Sequence, residues 1–181
     1  MKRIVAICLA LAGLAACNIG EMGGPPPVGP PPPTTNQPPS ANGFDEGAFA
    51  WSRGAAGGGI RGVVTYGGDA YSCGDVVLLP ETPWTRARME RLYGSSTSAV
   101  APADDVRAHT PRDPADVAQS RLMASYARHA QCDARNHFSF AGLPNGAWYI
   151  ITVATPKAGG PKIALIKRFP TYGFVDHTRL P

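Results

Sequence analysis

The chain has 181 residues, with 17 lysines and arginines against 13 aspartates and glutamates, a formal net charge of +4 at pH 7. The basic residues are scattered, with no run of five and no interleaved aromatics, which excludes the basic stripe of a nucleic-acid-binding protein. Once the low-complexity segments described below are set aside, the remaining length suits one domain of ordinary size.

Lys2 and Arg3 open the chain, and no charge follows from Ile4 to Ala16. This is the basic start and apolar run of an export signal; thirteen residues are too few for a transmembrane helix, which needs about 20. The tetrapeptide Leu14-Ala15-Ala16-Cys17 resembles the lipobox of bacterial lipoproteins. That resemblance implies cleavage after Ala16, thioether lipidation of Cys17 and attachment to a lipid bilayer through acyl chains, each CH₂ contributing about 0.8 kcal/mol. The alternative is an ordinary signal peptide that leaves Cys17 as a free thiol. Asn18 stands where enterobacterial lipoproteins retained at the inner membrane carry aspartate, so the expected location is the outer membrane, facing the periplasm.

Export also governs the cysteines. Cys8 leaves with the signal and Cys17 takes lipid, so Cys73 and Cys132 remain, and in an oxidising compartment they are expected to form a disulfide. Closing that loop stabilises a fold by about 4 kcal/mol on the chain-entropy argument. The competing use of Cys132 is a metal site with His129 and His137, which lacks a matching second half.

Residues 17–59 are expected to form a lipidated, Pro/Gly-rich linker. From Gly23 to Pro39 there are nine prolines, which predicts an extended polyproline II spacer reaching some 40 to 50 Å at about 3.1 Å per residue. The stretch 41–59 is also low in complexity, and its Phe44, Phe49 and Trp51 are suited to docking on the edge of the domain. Strands are predicted at 60–66 and 75–79, the second stopped by Pro80. Thr85 to Tyr93 places Met89, Leu92 and Tyr93 at helical spacing with Arg86, Arg88, Glu90 and Arg91 on the other faces, a short helix closed by Gly94. Ser95 to Arg112 reads as a polar stretch, with Asp104-Asp105 at a solvated tip. Asp113 and Pro114 then start a second helix with Ala118, Leu122 and Tyr126 as its buried stripe, fading near His129. Further strands are predicted at 137–140, 147–154 and 162–168, with 172–180 as an edge.

The segments Val76-Val77-Leu78-Leu79-Pro80-Glu81-Thr82 and Phe138-Ser139-Phe140-Ala141-Gly142-Leu143-Pro144-Asn145-Gly146-Ala147-Trp148-Tyr149-Ile150-Ile151-Thr152-Val153 resemble the carboxypeptidase regulatory-like domain, over 60–83 and 132–155. The resemblance implies a mainly β fold, a small Ig-like or prealbumin-like β-sandwich over 60–181. It also implies a turn at Leu143–Gly146 that brings Phe138 and Phe140 beside Tyr149 and Ile151. This chain departs from the family over 84–131, which reads as a helical insertion.

Domains of that family usually lack catalysis, so the resemblance implies a non-enzymatic structural or protein-binding part in the envelope, with no cofactor. The insertion supplies candidate partner-binding residues, Trp84, Arg86, Arg88, Arg91 and Tyr93. Equally, Trp84, Met89 and Leu92 could do no more than cover an open sheet face. A second reading is a glycan- or peptidoglycan-binding module using exposed aromatics such as Trp84 and Trp148. A third is a metal-dependent enzyme. Against it, His109, His129, His137 and His177 form no His-Glu-x-x-His frame, and neither a Gly-x-Ser-x-Gly elbow nor a phosphate-cradling loop is present, so no catalytic or metal residue is assigned.

Overall fold

The computed structural model describes residues 43–180, leaving out the side chains of Asp176 and His177. The export signal at 1–16, Cys17 and the proline stretch lie outside the described residues.

The fold is a β-sandwich with helices between strands. In chain order the elements are β1 (Gly58–Val64), β2 (Tyr71–Pro80), α1 (Pro83–Tyr93), β3 (Ser98–Pro102), α2 (Ala103–Ala108), α3 (Pro114–Ala124), β4 (Arg128–Gln131), β5 (His137–Leu143), β6 (Gly146–Pro156), β7 (Ile163–Thr171) and β8 (Phe174–Leu180). A three-stranded sheet has the order β5-β1-β8, and a five-stranded sheet the order β3-β7-β6-β2-β4. The larger sheet is antiparallel throughout, whereas β8 runs parallel to β1 at the edge of the smaller one.

Alternation decides what lies between the sheets. Ile60 and Val64 of β1, Phe138 and Phe140 of β5 and Leu180 of β8 meet Val76, Leu78, Trp148, Ile150 and Leu165 from the larger sheet in the main core. The opposite face of the larger sheet is covered as well: Leu79, Tyr149 and Ile166 pack under Met89 of α1, with Tyr93 and Met123 alongside. Burial on both faces explains why β6 is apolar almost continuously from Trp148 to Ile151. Phe138 and Phe140 therefore share a core with Trp148 and Ile150, whereas Tyr149 faces the helices. The expected pairing with Tyr149 and Ile151 was one residue out, because the 143–146 turn carries the chain from one sheet to the other instead of closing a hairpin.

The helices are locally specified. The Thr82 hydroxyl accepts from Thr85 N at 3.1 Å and the Thr85 hydroxyl accepts from Thr82 N at 2.7 Å, a reciprocal cap followed by Pro83 at the first helical position. Gly94 ends α1 in the left-handed region at φ 68°, where a side chain is disfavoured. Asp113 caps α3 by accepting from Asp116 N at 2.9 Å, as expected.

Other expectations change between 95 and 131. The polar stretch contains β3, which pairs with β7, and Asp104 and Asp105 lie in the first turn of α2 instead of a loop. Helix α3 ends at Ala124, and β4 begins at Arg128 beside β2. Ala118 and Leu122 face solvent; Met123 points inward, and Tyr126 is buried beyond the helix end. Arg88, expected on an outer face, is buried.

Cys73 and Cys132 form the expected disulfide, with a Cα separation of 5.8 Å. It fastens the end of edge strand β4 to β2, where Asp75 already pairs with Gln131. Ahead of β1, Gly47–Arg53 forms a 3₁₀ helix that buries Phe49 against Trp84 and Tyr126, so the docking expected of these aromatics is met. No helix among the described residues is long and apolar enough to cross a membrane.

Candidate functional site

Because Ile60, Gly62 and Val64 point into the core, Gly59, Arg61 and Val63 must project from the outer face of the three-stranded sheet. On β5 the same parity turns His137, Ser139 and Ala141 outward, and on β8 it turns Arg179 outward. A cleft of about 880 Å³ lies on this face between Arg61, His137, Ser139 and Arg179. The Arg61 guanidinium sits 4.8 Å from the centre of the Phe174 ring, which is 48% exposed, and Tyr172, in the preceding turn, is 84% exposed. Gly59 permits that arrangement: a Cβ there would stand 2.6 Å from the Phe174 ring and 2.7 Å from the Phe140 carbonyl oxygen.

The carboxylate at the rim is already engaged. Asp133 accepts from the backbone N–H groups of Arg135 and His137, both at 2.8 Å, and lies 3.3 Å from His137 Nδ1. The His137 N–H holds the Asp133 carboxyl below its ordinary range; slight burial opposes this, and the Arg135 N–H adds to it. The face therefore presents two guanidinium groups and exposed aromatic surface.

The candidate partner-binding residues of the insertion do not form one exposed patch. Trp84 is 5% exposed and Arg88 7% exposed, while Arg91 stands half exposed with its guanidinium 3.8 Å from the Asp116 carboxylate. Tyr93 is largely covered by the core beneath α1, and burial pushes its phenol up to about 12. Arg86 is committed to Glu81, whose carboxylate accepts from Arg86 Nε at 3.0 Å and Nη2 at 2.6 Å and from Arg168 Nε at 2.8 Å, with Arg168 Nη2 in ion-pair contact at 2.6 Å. Burial works to raise the Glu81 pKa, but the hydrogen bonds from Arg168 and Arg86 outweigh it and hold the carboxyl below its ordinary value. The cluster ties α1 to β2 and β7.

The expectation that Trp84 and Trp148 stand exposed is corrected: Trp148 is 0% exposed, in the main core beneath Trp51. Cys132 carries its sulfur in the disulfide, which removes it as a partner of His129 and His137. Arg61, Phe174 and Arg179 were missed. Outward parity is visible at each, but which sheet face stays open depends on pairings the sequence does not display.

No protein-family model and no curated protein matches this chain. Among solved structures it is similar to a Pseudomonas aeruginosa protein described provisionally as a carbohydrate binding protein. That likeness is at 21% identity and a TM-score of 0.51, over 76% of this chain and 96% of the other. At that distance it shows a shared fold.

Proposed function

We propose that this chain is a non-enzymatic carbohydrate-binding module of the cell envelope, tethered to the outer membrane through lipidated Cys17 and built on a carboxypeptidase regulatory-like sandwich. The observation that carries the binding reading is the outer face of the three-stranded sheet, where Phe174 stays half exposed beside Arg61, with Tyr172 exposed in the turn that leads into β8. Sugar rings present C–H faces that pack on aromatic rings, and their hydroxyls accept from guanidinium N–H groups. Two aromatic rings exposed only two residues apart, at Tyr172 and Phe174, fit a recognition role. The description of the structural neighbour as carbohydrate binding supports the same reading. The tether rests on the Leu14-Ala15-Ala16-Cys17 motif.

The test is retention of the detergent-purified full chain on sacculi, chitin and cellulose. Retention on at least one is expected, with the paired substitutions Arg61→Ala and Phe174→Ala weakening it about tenfold or more without changing the melting temperature. Absence of retention on all three would remove the reading. For the tether, Cys17→Ser should move the protein from the membrane fraction to the soluble one.

A further inference from the structure

We propose that the groove between α1 and α3 is a binding site for a carboxylate group, read by Arg88 and Arg91. Residues 84, 88 and 91 share one face of α1, and residues 116 and 119 share one face of α3. Between them lies a cavity of about 240 Å³, lined by Trp84, Arg88, Arg91, Asp116 and Gln119.

Arg88 makes the case. Its residue is 7% exposed, its Nη1 is buried with no hydrogen-bond partner among the described residues, and it takes part in none of the ion pairs described there. Its guanidinium carbon lies 5.2 Å from the centre of the Trp84 ring, which packs it without supplying an acceptor in its plane. Arginine keeps its charge in proteins, and a buried cation needs a paired anion. The nearby carboxylate, Asp116, is 3.8 Å from Arg91 and serves that residue first. Two guanidinium groups and one carboxylate leave a charge of +1 in the groove, which a monoanion neutralises.

Planar guanidinium forks match a carboxylate edge to edge, whereas a dianionic phosphate would set excess negative charge beside Asp116. Trp84 Nε1 donates to Gln119 Oε1 at 3.1 Å, which fixes the amide and leaves its NH₂ as a further donor at the same site. At about 30 Å³ per water, the cavity has room for a carboxylate and a few attached heavy atoms, not for an extended chain.

The test uses the full chain at pH 7 and constant ionic strength, titrated separately with acetate, with the tripeptide Gly-Gly-Ala carrying a free or an amidated C-terminus, and with phosphate. Expected is a saturable rise in melting temperature of about 5 °C at ten times Kd for acetate or the free-acid peptide, with no response to the amide. The Trp84 indole N–H resonance should shift along the same binding curve. A response to acetate alone assigns a small free acid; tighter binding of the peptide assigns a chain terminus. Arg88→Met should abolish the response while melting no lower than the parent in carboxylate-free buffer, because it removes an unpaired buried charge. A saturable response that survives Arg88→Met, tighter binding of phosphate than of acetate, or no movement of the Trp84 resonance with either carboxylate overturns the proposal. None of these outcomes depends on the carbohydrate face.

Discussion

Glu81→Gln should be among the most costly single substitutions of a polar side chain in this domain. The carboxylate is almost fully buried and accepts from three N–H groups, two on Arg86 and one on Arg168, whose Nη2 adds an ion-pair contact. Hydrogen bonds to charged groups contribute about 1.5–3 kcal/mol each when buried, but the two arginine side chains are 59% and 35% exposed, and solvent screening cuts that sum severely. Glutamine keeps the shape and one acceptor, so the expected loss is about 2 kcal/mol, roughly 6–10 °C in melting temperature for a domain of this size. The pH dependence carries the sharper check. The folded Glu81 carboxyl lies below its ordinary value of 4.5, so its stabilisation is complete at neutral pH and fades as pH falls from near 4.5 through the folded value. Urea denaturation of parent and Glu81→Gln from pH 7 to pH 3 should show a gap that is constant near neutrality and closes in acid. A gap under about 0.5 kcal/mol at pH 7, or one that persists undiminished at pH 3, would refute the assignment of Glu81 as the pin between α1 and the sheet.

Reducing the Cys73–Cys132 bond, which closes a loop of 59 residues, should lower stability by about 4 kcal/mol, measured by urea denaturation with and without a thiol reductant. Phe49→Ala should cost about 3–5 kcal/mol and open the segment around residue 50 to limited proteolysis, because its ring is fully buried between Phe44 and Tyr126. Protection of that segment unchanged by the substitution would show that residues 43–53 are not held by the aromatic cluster.

How far the sequence could be read depended on how many faces of each element are covered. In β5 one face is buried, so His137-Phe138-Ser139-Phe140 alternates and its inward residues could be named. In β6 both faces are buried, so periodicity cannot say whether Trp148 or Tyr149 meets the phenylalanines, and the answer slipped by one residue. Helix α3 offers two adjacent stripes, Ala118-Leu122 and Gln119-Met123, and the more flexible methionine took the inward position while Leu122 remained exposed. Strand β3 was invisible because Ala99 and Ala101 are its inward residues, too small to mark an apolar face. Arg88 looked like a surface charge because the wall that helps enclose it opposite Trp84, formed by Asp116 and Gln119 of α3, comes from far along the chain.

The two sides of the sandwich carry different kinds of residue, and that difference is itself an argument about function. On the helical side, Met89, Trp84 and Tyr126 fill space, so substituting them should damage folding and leave no binding effect separable from that damage. On the face of the smaller sheet, Arg61, Arg179 and Phe174 touch little that the core needs, so substituting them should leave folding intact. Arg88 follows neither pattern: it is buried like a core residue, yet its Nη1 has no hydrogen-bond partner among the described residues and its charge forms no ion pair there. If Arg88→Met preserves or improves stability, as expected, folding does not explain the arginine, and a carboxylate ligand in the groove gives it a reason to be there.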